Sequence, residues 1–570
     1  MLDGLTQEIN SFMKMDWKDI QQYYQDLIDR ELTEQSVDEW LRDWSRIVDL
    51  IFERYARLNV AFTLDTTNQQ AEMRLNTFLE DIHSPSQAAN QKLKEKLLAG
   101  GLEPQGFDIP LKKIRAEANI FREKNLHLLV EEKKLASEYN KIIGAQTVQW
   151  EGDELTIQQL RPILQSSDRT EREKLWRLAS ERQMCDRQEI NDLWVKEVQL
   201  RVKLAKNAEL ADYRTYRWGQ MTRIDYTPKD CLQFHKAIEQ IAVPAATRIY
   251  EKYRQRMRVD LLRPWDLDQD LYPIDLTPLP SYGTIEELQS GAENIFTNVD
   301  PKLGEYFHLM REEKLLDLEN KKGKAPGAYC INYPTSQRPF IFMNAVGLST
   351  DIRTIIHESG HAFHNFERIK LPYSQQRVPG LEFAEVASMG MELLASPYLL
   401  IDRGGFYNET DAARFLVEQL ERILVFWPYM AIVDAFQHWV YTHENVALNP
   451  ANCDAKWYEL WLRFIPGVDW SGLEAEAMTG WHRKQHIHRA PFYYVEYGLA
   501  QLGAVQVWHG ALRNQKAAVE RYLKSLQLGG TVNLPNLYRT AGAKFAFDRG
   551  TLNKAVKLVE QKIDELEIAD

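Results

Sequence analysis

The stretch EQSVDEWLRDWSRIVDLIFERYARLNVAF, residues 34–62, decides the fold class. Val37, Trp40, Leu41, Trp44, Ile47, Val48 and Ile51 recur at helical steps, which lays one apolar stripe along an α-helix. Ser36 with Glu39 three residues on predicts a capping box at its start. Working outward, the same texture fills 68–82, 86–99, 111–142, 157–183, 187–208 and 229–259, then 284–297, 301–316 and most of the chain from 350 onward. Between these, TVQWEGDELTI (147–157) predicts a small hairpin. Residues 261–282 hold Pro264, Pro273, Pro278 and Pro280 with no helical period, and predict an extended crossover packed on the body. Residues 321–347 predict a small sheet, punctuated by Gly323, Gly327 and Pro334 around AYCINY and PFIFMNAVG. Pro339 gives the second of these the character of an edge strand. The fold class is therefore mainly α with a small β element in the second half, and no internal repeat is visible.

At 570 residues and 44% hydrophobic, the chain has a globular composition and enough length for two or more lobes. Acids outnumber bases 82 to 70, a formal charge of -12, which argues against a general nucleic-acid binder. Cys185, Cys231, Cys330 and Cys453 lie far apart with no C-x-x-C pair, so neither a disulfide framework nor a cysteine zinc site is expected. MLDGLTQEINSFMKMDW has early acids and no apolar core, so no signal peptide is expected. No run of about 18 apolar residues occurs, so no membrane partner is expected. The expected location is cytoplasmic.

Chemistry enters with STDIRTIIHESGHAFHNFE, residues 349–367. His357, Glu358 and His361 form H-E-x-x-H within a helical pattern. Residues four apart stand about 40° from each other round a helix, so both imidazoles reach one ion. The glutamate projects beside that ion and can take a proton from a water. A catalytic zinc also wants a third protein ligand. The metzincin pattern fails here, because His364 and Glu367 stand where Gly and His are required. Glu367 lies about 9 Å along the same helix, too far to join the ligand set. A second helix, GLEFAEVASMGMELLA (380–395), offers Glu382, Glu385 and Glu392 near one face. Spacing alone permits any of the three. Phe383, Val386, Met389, Met391 and Leu393 make this a buried helix, where a carboxylate demands a partner.

HESGHAF, followed by EFAEVASMGMELL, resembles the thimet oligopeptidase and oligoendopeptidase F family of zinc metallopeptidases. The similarity extends to GKAPGAYC, PFIFMNAVG, WHRKQHIHRAPFYYVEYGLAQLGA and YLKSLQLGGTVNLPNLYRTAGAKF, covering roughly 320–547. One departure is Gly327-Ala328, where the family often has two glycines. The resemblance implies one zinc ion held by His357, His361 and Glu385, with Glu358 as the base. Glu392 falls where the family keeps a second acid, suited to support a histidine ligand from outside. His364 is expected to pack or to support the site in the same way. The resemblance also implies two helical lobes enclosing a deep substrate channel, an N-terminal helical lobe at 1–200 and a catalytic domain at 201–570.

Hydrolysis of a peptide develops an oxyanion, which needs donors where that charge appears. HRKQHIHRAPFYYVEY supplies His486, His488, Tyr493, Tyr494 and Tyr497. The family places a His and Tyr set in this segment; Tyr497 matches its last tyrosine and Tyr493 the preceding one. Tyr494 stays an alternative to Tyr493, and His486 is preferred over His488. His438 and His443, in the aromatic run FQHWVYTHE, are read as structural. PFIFMNAV, as an edge strand, would pair with an extended peptide through main-chain bonds.

The implied function is a zinc-dependent oligoendopeptidase acting on short unstructured peptides. A zinc carboxypeptidase or dipeptidyl carboxypeptidase is the alternative, with Arg483, Lys484 or Arg489 to hold a substrate carboxylate. A catalytically silent peptide-binding protein is a third reading, disfavoured by the presence of Glu358.

Overall fold

The apolar stripe from Val37 to Ile51 forms one helix, Val37–Leu64, burying Trp40, Leu41, Trp44 and Ile47. Fully burying a side chain such as Ile47 contributes about 1.5–3 kcal/mol, so the stripe commits this face to the interior. Its start differs from the expected capping box. The Ser36 hydroxyl accepts from the Thr33 amide at 2.9 Å and donates to the Glu31 carbonyl, so it serves the preceding turn and caps nothing. These coordinates are a computed structural model describing residues 4–568 except 7, 158, 162, 269–271, 275–278, 322 and 326.

The fold is mainly α, with two small sheets. Trp40, Trp44, Phe78, Leu93 and Leu111 belong to a hydrophobic core built from residues 5–114, which Tyr373 joins from the later chain. A larger core runs from Leu128 to Ile563. The helices Leu126–Gly144 and Arg187–Asn207 supply Tyr139, Trp194 and Leu204 to it, so packing is continuous across position 200. The most apolar long helix, Glu409–Val440, has the length and composition of a membrane span. Yet 78% of its apolar window is buried inside the fold, as in a core helix.

The expected hairpin is present: β1 (Thr147–Trp150) pairs antiparallel with β2 (Asp153–Thr156). Glu151 and Gly152 both take positive φ, 51° and 98°, the twist that two-residue hairpin turns favour. In the crossover, Trp265, Leu267, Tyr272 and Ile274 are buried as expected of a packed segment. Residues 269–271 and 275–278 of it lie outside the described set.

The second sheet corrects one expectation. It has the order β3-β5-β4, with β3 Leu316–Glu319, β4 Tyr329–Tyr333 and β5 Arg338–Ala345. PFIFMNA is therefore the central strand, and β4 is the edge. Pro339 is tolerated because β3 joins β5 only from Ile341 onward, whose amide donates to the Leu315 carbonyl at 2.9 Å. The proline lies before that ladder begins, so its missing N–H costs nothing there.

Beyond β5 the chain turns into the histidine helix, Ser349–Arg368. Asp351 fixes the junction: one carboxylate oxygen accepts from the amides of Val346, Gly347 and Leu348 at 2.8–3.0 Å and from the Tyr282 hydroxyl at 2.6 Å. The glutamate helix, Leu381–Ala395, packs between the histidine helix and the tyrosine helix, Tyr494–Arg513. Gly360 permits the first contact, since a Cβ there would sit 2.6 Å from the Ala387 carbonyl oxygen and from the Ser388 Cα. Gly503 permits the second, where a Cβ would meet the Tyr538 ring at 2.6 Å and Val386 at 2.9 Å.

Candidate functional site

The histidine and glutamate helices bring His357, His361 and Glu385 together, with one ligand atom from each within 4.8 Å of the others. Glu385 Oε2 lies 3.6 Å from His357 Nε2 and 3.5 Å from His361 Nε2. Metal–ligand bonds of about 2.1 Å in a tetrahedron place their donor atoms about 3.4 Å apart, so these separations fit zinc closely. The donor set, two imidazoles and one carboxylate, is likewise a catalytic zinc set. The histidine side chains keep 25% and 21% of their surface exposed, which leaves a fourth position approachable.

The supporting partners are in place. Glu392 Oε1 faces His357 Nδ1 at 2.7 Å, which leaves Nε2 as the ligating nitrogen. Gln419 Nε2 donates to the other Glu392 oxygen at 3.2 Å. The Ser388 hydroxyl donates to Glu385 Oε2 at 3.1 Å, and the Tyr493 hydroxyl to Glu385 Oε1 at 3.2 Å. His361 bonds the main chain at Ala384.

Electrostatics shows what the cluster calls for. Burial works against a charge on His357, yet its hydrogen bond to Glu392 and the nearby Glu358 and Glu385 push it up to about 9. Burial pushes His361 down to about 4. Burial raises the Glu358 carboxyl to about 7, with Glu385 and Glu392 adding and His357 opposing. Three carboxylates around one imidazole favour positive charge at that point, and a divalent ion supplies it. Glu358 also accepts the backbone N–H of Cys330 on the edge strand β4, so the small sheet stands directly beside it.

The tyrosine helix divides the expected substrate-facing residues. Tyr493 and Tyr497 lie together, ring centroids 5.2 Å apart, with His486 at 6.2 and 5.8 Å from them. Burial lowers the affinity of His486 for a proton to a pKa of about 3, with Lys484 and Arg489 adding, so its ring is neutral. Its Nδ1 is buried without a hydrogen-bond partner. The Tyr494 ring packs beside them, 4.9 Å from His486 and 5.6 Å from Tyr497, but its hydroxyl is directed elsewhere and accepts from Lys484 Nζ at 2.7 Å. His488 is buried against Tyr139, stacked at 4.3 Å, and faces Glu197 at 3.0 Å. His364 is buried with its ring edge-on to Phe383 and is not among the residues whose ligand atoms meet. Glu382, open on spacing alone, accepts from the Tyr226 hydroxyl at 2.5 Å and lies 3.8 Å from Arg223.

Sequence reasoning missed how this segment is held. Phe492 carries φ 64°, a left-handed conformation that a bulky residue rarely adopts. Its amide donates to Gln437 Oε1 at 2.7 Å, and Arg223 Nη2 donates both to its carbonyl and to Glu496 Oε1. No sequence signal marks Gln437 or Arg223, since each acts through a contact more than fifty residues away.

Similarity to known proteins agrees with this geometry. Oligopeptidase PepF of Bacillus subtilis is 27% identical over 310 residues, 52% of this chain and 44% of that protein. The chromosomal oligoendopeptidase F of Lactococcus lactis subsp. cremoris is 27% identical over 269 residues, 45% of this chain and 42% of that one. The alignments thus span about half the length of these curated relatives. A solved structure, PZ peptidase A with an inhibitor, superposes with a TM-score of 0.89 at 25% identity, covering 98% of this chain and 97% of that one. Residues 163–556 match the description of peptidase family M3, which takes in the histidine, glutamate and tyrosine helices together, and the chain belongs to that family.

Proposed function

We propose that this chain is a zinc-dependent oligoendopeptidase that hydrolyses internal bonds of short unstructured peptides. The observation that carries the proposal is the meeting of the ligand triad with Glu358 and the Tyr493–Tyr497 pair at one partly open point. His357, His361 and Glu385 would hold one zinc ion, which when bound polarises both the scissile carbonyl and the attacking water.

Glu358 is the base. It follows the ligand His357 directly and stands beside the ligand set, where it can accept the proton of the attacking water and pass it to the leaving amine. Tyr493 and Tyr497 are the oxyanion donors, with His486 beside them as a neutral donor. Burial raises both phenols far above neutral pH, so each keeps its proton to donate. Glu392 holds His357 in the ligating tautomer. An extended peptide would bind along β4, the edge strand that meets Glu358.

The three cations that a carboxypeptidase would need are engaged elsewhere. Arg483 donates to the Glu476 carbonyl, Lys484 to the Tyr494 hydroxyl and Arg489 to Gln485. This favours internal cleavage. The protein is proposed to work in the cytoplasm.

Mass spectrometry of a peptide library of mixed length, before and after exposure to the zinc-loaded protein, tests the assignment. Internal cuts support it. Stepwise loss of one or two residues from the C-terminus would replace it with the carboxypeptidase alternative.

A further inference from the structure

Two long helices carry a second cluster that the site above does not use. On Pro228–Arg256, Cys231 and His235 stand one helical turn apart, and on Glu409–Val440 so do Asp434 and His438. Residues four apart share a helix face, and these two helices pack on each other, so the pairs meet. Cys231 Sγ, a carboxylate oxygen of Asp434 and a ring nitrogen of His438 lie within 4.8 Å of one another. All three residues are buried.

The polar groups are only half satisfied. His235 Nε2 lies 2.7 Å from Asp434 Oδ2 and takes up that oxygen. His438 Nε2, 3.3 Å from the same oxygen, makes no aligned hydrogen bond, and Asp434 Oδ1 has no partner either. Trp218 and Phe492 close over the His438 ring at 5.7 and 5.2 Å, and Arg214 stands 3.5 Å from its Nδ1. A buried carboxylate oxygen without a partner, beside a buried thiol and an imidazole held only at 3.3 Å by the other oxygen of that carboxylate, costs free energy unless something joins them.

We propose that Cys231, Asp434 and His438 bind a second divalent ion of the zinc class, with His235 bonded to the Asp434 carboxylate from outside. Thiolate, imidazole and carboxylate together suit zinc and do not suit calcium or magnesium. The side chains present the right protonation states but one. Burial opposes charge on Asp434, while the hydrogen bond from His235 favours its carboxylate form. Burial also holds the Cys231 thiol protonated, so forming the sulfur–metal bond releases one proton to solvent. The ion would tie the two helices together beneath Gln437, the residue that anchors the Phe492 amide and hence the Tyr493 segment. Unlike the exposed histidines of the first site, this cluster is sealed, so its ion is loaded on folding and does not exchange.

Metal content of the purified full-length protein, before and after dialysis against a chelator, gives the primary test. Two zinc equivalents per chain are expected at first, and one after dialysis. Refolding with cobalt(II) should give a thiolate-to-cobalt absorption band, since the first site contains no thiolate. Cys231→Ser should abolish that band, and His357→Ala should keep it while losing the exchangeable equivalent. A chain that holds one equivalent, loses it to the chelator and shows no cobalt–thiolate band overturns the second site. Should Cys231→Ser fail to fold, the band and the resistant equivalent of the parent decide alone. A parent that holds a single equivalent, resistant to the chelator from the start, would contradict the first site and leave the second standing.

Discussion

Three glutamates on one helix do three different things. Glu385 faces the two histidines, Glu392 accepts His357 Nδ1, and Glu382 turns to Tyr226 and Arg223. The i, i+7 spacing of Glu385 and Glu392 puts both on the histidine side, and the sequence carried that much. It did not separate ligand from support, because that depends on how far each residue sits along the histidine helix. Glu392→Gln should keep the fold and lower zinc affinity by about 10–100-fold, measured by competition with a chromophoric chelator. The adjacent tyrosines separate more sharply. Tyr493→Phe should lower kcat by about 10²–10³-fold with little change in KM, because it removes an oxyanion donor. Tyr494→Phe should leave kcat within a few-fold of the parent, since its hydroxyl faces Lys484. Equal losses in the two variants would contradict the placement. His486 and His488 illustrate the same limit: they sit two apart on a short helix, and only the packing of Tyr139 and Glu197 shows which one is core.

At the scale of elements, the site exists because the histidine and glutamate helices approach closely. Gly360 stands inside H-E-S-G-H with no Cβ to hold them apart. Gly360→Ala should destabilise the fold by about 1–3 kcal/mol through overpacking against main-chain atoms, read as a shift in the denaturant midpoint. It should also weaken zinc binding, because the Glu385 carboxylate moves with its helix. Unchanged zinc affinity would contradict that coupling. The helices themselves were legible from periodicity over many turns, and the hairpin from its Glu-Gly turn. Strand order was not. Pro339 marks an edge only where a ladder would need its N–H, and here β3 starts two residues later. The Ser36 capping pattern failed for a similar local reason, because a preceding Thr33 offered the hydroxyl a nearer partner.

For the whole molecule, the residue 5–114 core is distinct from the core that carries the site. Its acid response is predictable from His83, which packs on Tyr55 and Phe78. Burial pushes His83 down to about 4, with Lys133 adding. An unfolded histidine titrates near 6.5, so between about 6.5 and 4 the unfolded chain binds more protons and stability is lost as the pH is lowered. His83→Gln should flatten that part of the stability–pH profile, measured by denaturant unfolding at pH 7 and pH 5. An unchanged slope would remove His83 as its source. The meeting of His357, His361 and Glu385 was legible because these residues lie in short local motifs. The N-terminal core has none, and its residues declare only a helix period.

The central claim is that Glu358 acts as the base beside a zinc ion held by His357, His361 and Glu385. Glu358→Gln, assayed beside the parent for zinc content and for the rate of cleavage of one internally quenched peptide, tests it most directly. The predicted result is full zinc content with kcat lower by about 10²–10⁴-fold, since the base is removed and the ligands are untouched. Cleavage at the parent rate by a zinc-loaded Glu358→Gln protein would contradict the account.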